Sequence, residues 1–111
     1  MNINFSGYNE NVVTFAVDGS GVTMGTPVKM SSSGTVKACE SGENMVGVAV
    51  NVRNGYAAVQ LTGYIEMPTD STVEVGYQTL SASADGKVEA NASGREYLVV
   101  TQGTGIVGFI L

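Results

Sequence analysis

The clearest hydrophobic pattern in the chain lies between Met45 and Pro68, where valines recur at every second position ahead of Asn54-Gly55. Asn-Gly predicts a two-residue hairpin turn of type I′, because both central residues of that turn need a positive φ. The turn sets a register that pairs Val52 with Ala57, Val50 with Val59, Val48 with Leu61 and Val46 with Gly63. A slip of one residue would expose these valines to water. We therefore expect the valines at 46, 48, 50 and 52 to face the interior of a β-barrel.

The remaining sequence consists of short β-branched or aromatic runs separated by glycine-containing polar turns. Such runs are typical of strands, and the turn residues are those that supply a positive φ or a local hydrogen bond. Strands are predicted at 11–17, 26–30, 35–39, 73–75, 77–81, 88–90, 96–101 and 106–111. Gly63 is predicted to mark a bulge within the long strand from Tyr56 to Met67.

Two parts of the sequence resemble each other. Each reads as a glycine, a strand, a polar turn, a strand, a loop and a last strand with an internal glycine. The first comprises 25–30, 35–38 and 46–50, and the second comprises 76–80, 87–90 and 107–110. Two such units would close one barrel around a shared core, which removes exposed strand edges. The predicted fold class is all-β: a small single-domain β-barrel or sandwich of short antiparallel strands, with two similar β units as a further hypothesis.

The first ten residues predict an extended N-terminal arm, 1–10, ahead of a single β-barrel domain, 11–111. Two apolar residues of the arm, Ile3 and Phe5, alternate with polar neighbours. Two interpretations stay open. The arm is either an edge strand or disordered tail of the domain, or a segment that adds a strand to the exposed sheet edge of a partner.

Charge and length narrow the classes of partner. The chain has 111 residues, with five Lys and Arg against ten Asp and Glu, for a formal net charge of −5. An acidic domain without a basic cluster is a poor candidate for binding nucleic acid or an anionic membrane. The apolar runs are far shorter than the roughly 20 residues of a spanning helix. The N-terminus lacks the pattern of a signal peptide, so synthesis in the cytosol is expected.

Candidate chemistry is sparse. The chain has no His and a single Cys, which argues against the common catalytic triads and against zinc or iron–sulfur sites. Asp18, Asp70 and Asp85 are predicted turn residues rather than calcium ligands. Cys39 is predicted to be a strand residue rather than a reactive thiol. We therefore expect no enzyme activity, no catalytic residue, no metal and no cofactor, although ten acids leave open a carboxylate pair of the glycosidase kind.

The five tyrosines have two interpretations. They could form a sugar-binding platform, or they could pack on half-buried strands with the hydroxyl in water. The residues concerned are Tyr8, Tyr56, Tyr64, Tyr77 and Tyr97.

The sequence from Gly25 to Pro68 is similar to a known family. The residues that carry the similarity are Gly25-Thr26-Pro27-Val28, Thr35-Val36-Lys37-Ala38, Val46-Gly47-Val48-Ala49-Val50 and Ala58-Val59-Gln60-Leu61-Thr62-Gly63-Tyr64-Ile65-Glu66. Together they resemble the head decoration (capsid-stabilising) proteins of tailed phages, of the lambda-like type, and related small β-barrel phage structural proteins. The C-terminal part matches more loosely and is longer than in the lambda-like type.

The resemblance implies a non-enzymatic virion protein, made in the host cytoplasm, that binds the capsid exterior and stabilises the shell. Its implied partner is the major capsid protein, its implied state is a homotrimer, and neither nucleic acid nor membrane is expected as a partner. The arm would contact the shell through Asn2, Ile3, Asn4, Phe5 and Tyr8. Two alternatives stay open: a carbohydrate-binding or fibre-type β module that uses surface tyrosines, and a small β-barrel hydrolase.

Overall fold

The structure, a computed structural model, describes residues 10–111 and contains ten strands in two groups of five. The strands are β1 (Asn11–Val17), β2 (Pro27–Ser32), β3 (Thr35–Ala38), β4 (Gly47–Arg53), β5 (Tyr56–Thr62), β6 (Tyr64–Pro68), β7 (Gly76–Ala82), β8 (Val88–Ala90), β9 (Arg95–Gly103) and β10 (Ile106–Ile110). The first unit, β1–β5, is a closed barrel, and the second unit, β6–β10, is a five-stranded sheet. The all-β prediction is confirmed.

Most strands lie where the sequence predicted them, and the predicted strands at 11–17 and 88–90 have the observed bounds. Two predictions are wrong. Residues 73–75 form a loop, in which Val73 is nevertheless buried because the loop folds over the core. Gly63 does not mark a bulge in one long strand but separates β5 from β6. The chain bends at this glycine, whose φ is 98°, and passes from the first unit to the second.

The hairpin turn forms at Asn54-Gly55, where φ is 52° and 80°. The three pairs next to the turn have the predicted register. Val50 then forms a bulge, an extra residue that has no partner of its own on β5. Beyond it Ala49 pairs with Val59 and Val48 pairs with Gln60, so the predicted pairs of Val50, Val48 and Val46 are wrong.

The bulge also changes which side chains face the barrel interior. Ala49 lies in the core cluster of the first unit, and Val46 and Val52 pack against that cluster. Val48 instead faces outward and belongs to the core cluster of the second unit. The prediction of four valines on one interior face is therefore wrong, because an extra residue reverses the alternation of the strand.

The second unit repeats the topology of the first, strand for strand. The barrel reads β1-β5-β4-β2-β3, and the sheet reads β6-β10-β9-β7-β8. Successive neighbours in these two orders are all antiparallel. The barrel is closed by a parallel pairing of β1 with β3, and the sheet has a single parallel bridge, Thr69 to Val88, at the same place.

Details of the two units agree as well. In the β9–β10 hairpin the pairing is regular for three pairs from the turn and then skips Val100, as the β4–β5 hairpin skips Val50. The backbone N–H of Val17 donates to Gly55 O, and that of Thr69 donates to Gly105 O, each over 3.0 Å. The chain therefore contains two copies of one five-stranded unit.

The structure corrects the repeat in two respects. The counterpart of β4 is β9, whereas the sequence comparison aligned 46–50 with 107–110, which lies in β10. The two units also do not close one barrel together, because the first unit closes by itself. Because glycines and turns follow in a similar order in both units, β4 was matched with β10, the second strand of the hairpin, instead of with β9, the first.

The two units surround two separate core clusters, and the second cluster, which also includes Val48 of the first unit, is built of larger side chains. The first contains Val36, Ala49, Ala57 and Val59, and the matching positions of the second hold Val88, Val99, Val107 and Phe109. Three of these four substitutions enlarge the side chain, which increases the apolar area that the second unit buries.

β4 and β5 approach each other so closely at Gly47 that no side chain fits there. A Cβ at this position would contact the Gln60 carbonyl oxygen and would lie 2.7 Å from Val59 Cγ1. We expect Gly47→Ala to lower the free energy of unfolding by about 2 kcal/mol, because a packed core does not accept an added carbon without strain. Urea unfolding measures this effect.

The matched control for Gly47→Ala is Gly103→Ala. A Cβ at Gly103 meets only the Ile106 Cγ2 methyl group at 3.2 Å, and Ile106 is an exposed side chain with no packed core around it. We expect this control to change stability by less than about 0.5 kcal/mol. Equal effects of the two substitutions would contradict the close approach at Gly47.

Candidate functional site

The predicted shell-binding residues lie outside the described part of the chain. They are Asn2, Ile3, Asn4, Phe5 and Tyr8, and the description begins at Glu10, which is exposed. The placement of these five side chains therefore stays a prediction. What the structure does place is the surface that follows them directly, the strand β1.

β1 has one long edge that no other described strand covers. It pairs with β5 along its length, but its other neighbour, β3, reaches only Ala16 and Val17. Val12 is 49% exposed and Val13 is 42% exposed. An apolar strand edge with unpaired backbone groups can accept a further strand. This β1 edge, residues 11–15, is the candidate interaction site of the described chain.

Sequence reasoning found the strand β1 but missed its exposure. The signal was the pair Val12-Val13, two adjacent apolar residues where a half-buried strand has one. Adjacent residues of a strand point to opposite faces of the sheet. Because both Val12 and Val13 are exposed, neither face of β1 is covered at the start of the strand.

The four tyrosines within residues 10–111 do not form the common platform that a sugar site would need. Tyr97 is buried, with its ring centroid 5.1 Å from that of Phe109, and Tyr64 is buried as well. Only Tyr56 and Tyr77 are exposed among the tyrosines that the structure describes, and they lie in different units. Tyr64, one of the tyrosines of the carbohydrate alternative, is therefore too buried to stack on a sugar.

The Tyr64 hydroxyl is instead part of a local polar cluster. It donates to Glu66 Oε2 over 2.6 Å and lies 3.0 Å from Thr101 Oγ1. Burial, and secondly the hydrogen bond to Glu66, raise the pKa of this hydroxyl. The hydroxyl lies over Gly108, where a Cβ would clash with the Tyr64 oxygen, so the glycine makes room for the ring.

The acidic residues are dispersed over the described chain. Asp70 forms an ion pair with Lys87, whose Nζ lies 3.0 Å from Oδ1, and Asp85 occupies a turn with φ of 61°. Among residues 10–111 no group of three or more Cys, Asp and Glu residues could hold a metal ion. Within the same residues, no helix is long and apolar enough to cross a membrane.

The loop 40–44 joins the two units. The Gly42 N–H donates to Ala82 O and the Ala82 N–H donates to Glu43 O, both over 2.9 Å. Asn44 Oδ1 accepts the Arg95 N–H over 3.1 Å. The loop is therefore hydrogen-bonded to β7 and β9 of the second unit, which holds the two units against each other.

Glu43 also holds the loop to the barrel. Its carboxylate forms an ion pair with Lys29 Nζ and accepts the Glu40 N–H over 2.7 Å. The hydrogen bond from Lys29, and secondly that from the Glu40 backbone, lower the pKa of Glu43. The same hydrogen bond raises the pKa of Lys29.

Cys39 lies directly after β3, one residue beyond the strand, in contact with the same loop. Burial raises the pKa of its thiol to about 11, with the negative charge of Glu43 as the second cause. Its sulfur lies 3.8 Å from the Asn44 carbonyl oxygen. A thiol that is protonated at neutral pH is a weak nucleophile.

No protein-family model matches the chain, and no curated protein matches it.

Glu43 predicts a pH dependence of stability. Because the folded state lowers its pKa, Glu43 contributes stability above its ordinary pKa of 4.5, and this contribution is lost as the pH falls through the folded value. We expect Glu43→Gln to reduce the loss of stability between about pH 5 and pH 3, as measured by urea unfolding.

The control for Glu43→Gln is Glu74→Gln, which removes an exposed carboxylate in the 73–75 loop. Glu74 takes part in neither of the two ion pairs within residues 10–111, Lys29–Glu43 and Lys87–Asp70. An acid-stability profile that Glu43→Gln leaves identical to that of the wild type would contradict the role of the ion pair.

The burial of Cys39 predicts that its thiol reacts slowly. With a pKa of about 11 in place of 9.0, the folded protein holds about a hundredfold less thiolate at pH 8 than an ordinary cysteine. Because a thiolate of higher pKa is the stronger nucleophile, part of this loss is offset, and we expect its reaction with an aromatic disulfide reagent to be about tenfold slower than in the same protein unfolded in guanidinium. Equal rates in the two states would contradict the burial of this thiol.

Proposed function

We propose that this protein is a phage head decoration protein, a non-enzymatic structural component of the virion that binds the capsid exterior and stabilises the shell. The supporting observation is the way in which the resembling segment folds. The residues from Gly25 to Pro68 form the consecutive strands β2–β6, with a glycine or a polar turn at each boundary, as the decoration-protein pattern requires.

The partner in this proposal is the major capsid protein, and the state on the shell is a homotrimer on the virion exterior. A rigid body built from two fixed units supplies shape, and repeated contacts on a repeating shell supply strength. The net charge of −5 suits a position away from the packaged DNA. Neither nucleic acid nor membrane belongs to the proposed set of partners.

Exposed apolar side chains recur at matching positions of the two units, which suits a protein that works by surface contact. Met24 and Val75 occupy the loop before β2 and β7, and Tyr56 and Ile106 follow the turn glycines Gly55 and Gly105. Exposed apolar residues that recur in this way are available for contacts outside the chain.

The arm is the proposed anchor. Ile3 and Phe5 would enter the shell while Asn2, Asn4 and Tyr8 would supply polar contacts along an added strand. We expect deletion of residues 1–8 to abolish co-sedimentation with expanded, undecorated capsids of the phage that carries this protein. Circular dichroism should show that the β-structure remains.

A matched pair of variants separates the anchors from the rest of the arm. Replacing Ile3 and Phe5 with Ser should weaken shell binding by at least about tenfold, because the apolar anchors are lost. Replacing Asn2 and Asn4 with Ser should have a much smaller effect. Unchanged shell binding by the deletion variant would refute the arm as the anchor, and failure of the intact protein to bind any capsid would refute decoration itself.

A further inference from the structure

The first unit covers the second with an outward row of side chains. Pro27, Val48 and Gln60 are register neighbours across β2, β4 and β5, and all three are buried, although they face away from the barrel interior. Val48 belongs to the core cluster that contains Met67 of β6 and Val88 of β8. Through Val48 the row therefore packs on the second unit at the side where Thr69, the residue after β6, bridges to Val88 of β8.

The second unit carries the matching row. Tyr77, Leu98 and Ile110 are register neighbours across β7, β9 and β10, and Leu98 stands two residues before the Val100 bulge, as Val48 stands two residues before Val50. This outer row of the second unit is apolar throughout. Tyr77 is 69% exposed, and Leu98 and Ile110 are half-buried.

The first unit also carries the matching receiving surface. β1 corresponds to β6, and Val13 and Phe15 pair with Val59 and Ala57, whose side chains lie in the barrel core. Val13 thus faces the interior side, yet it is 42% exposed. Because β3 reaches β1 only at Ala16 and Val17, the barrel has an open seam beside Val13 and Phe15.

We propose that the outer row of the second unit in one copy of the protein covers the open seam of the first unit in a second copy. The contact inside each chain shows that a row of this kind packs on a seam of this kind. Within residues 10–111 each chain leaves one such row and one such seam without a partner, so the occupant that fits both is a further copy.

The proposed interface joins two different surfaces and is therefore heterologous. Such a head-to-tail contact closes into a ring or continues as an open chain, depending on the rotation between copies. This inference is independent of the proposed function, because it concerns the protein alone in solution without any capsid.

Light scattering coupled to size-exclusion chromatography, run over a range of micromolar concentrations, tests the contact. The wild-type chain should elute as a species larger than a monomer. Tyr77→Arg damages only the row and Val13→Arg damages only the seam. Each should reduce the association constant by at least about tenfold, because a charge at the centre of an apolar contact is left unpaired.

Mixing the two variants gives the sharper result. The Tyr77→Arg chain keeps an intact seam and the Val13→Arg chain keeps an intact row, so an equimolar mixture should form a one-to-one dimer and nothing larger. An interface between two identical surfaces would not be restored by mixing. A mixture that stays monomeric while the wild type associates overturns the proposal.

The matched control is Tyr56→Arg, which makes the same chemical change at a tyrosine that is 58% exposed but lies outside the row. It should associate like the wild type. Thermal unfolding by circular dichroism checks that every variant is folded, and Val13→Ser and Tyr77→Ser serve as milder replacements.

A wild-type chain that remains monomeric at every concentration overturns the proposal. If removal of residues 1–9 then makes the chain associate, the seam is covered by the N-terminal segment of the same chain. Association that none of the row or seam variants reduces also overturns it.

Discussion

The contact between the outward side of β4 and the core of the second unit is the interaction on which the rest of the structure depends. The Val48 side chain points away from the barrel interior and packs in a cluster with Met67 and Phe109. Its register neighbour Gln60 is 3% exposed. The buried amide is satisfied, because Gln60 Nε2 donates to the carbonyl oxygens of Thr62 and Tyr64 over 3.1 and 3.0 Å. A buried amide without partners would cost about 1–3 kcal/mol, so the chain crossing at Gly63 is tied to this contact.

The bulge at Val50 makes that contact possible. Without the extra residue, the alternation set at the Asn54-Gly55 turn would send Val48 and Val52 to the same face. With the extra residue, the Ala49 side chain packs in the barrel core and the Val48 side chain packs in the core of the second unit. The second hairpin has the same bulge at Val100, which turns Leu98 outward, away from both units that residues 10–111 form. One local irregularity thus sets both the interface inside the chain and the surface left outside.

How much of this could be predicted from the sequence follows from the range of each interaction. The turn at Asn54-Gly55 and the strand 11–17 are local, and both were predicted. The bulge was not, because Val48, Ala49 and Val50 form a continuous apolar run, and a strand buried on both faces has no alternation to fix its register. The exposure of Val12 and Val13 depends on how far β3 extends along β1, a long-range property that the residues of β1 do not encode. The repeat was visible only as an order of glycines, since the matching core residues differ in size.

The difference in core size explains why the two units play different roles. The barrel closes around small residues such as Ala49 and Ala57, whereas Val99 and Val107 at the same positions, with Phe109 beside them, need a wider enclosure. Because the second sheet encloses larger side chains, its two edges approach each other only at the Thr69–Val88 bridge instead of pairing along a full ladder. The first unit covers the gap between these two edges. The second unit thus depends on the first for its core. The loop 40–44, hydrogen-bonded to Ala82, adds backbone contacts that hold the two units together.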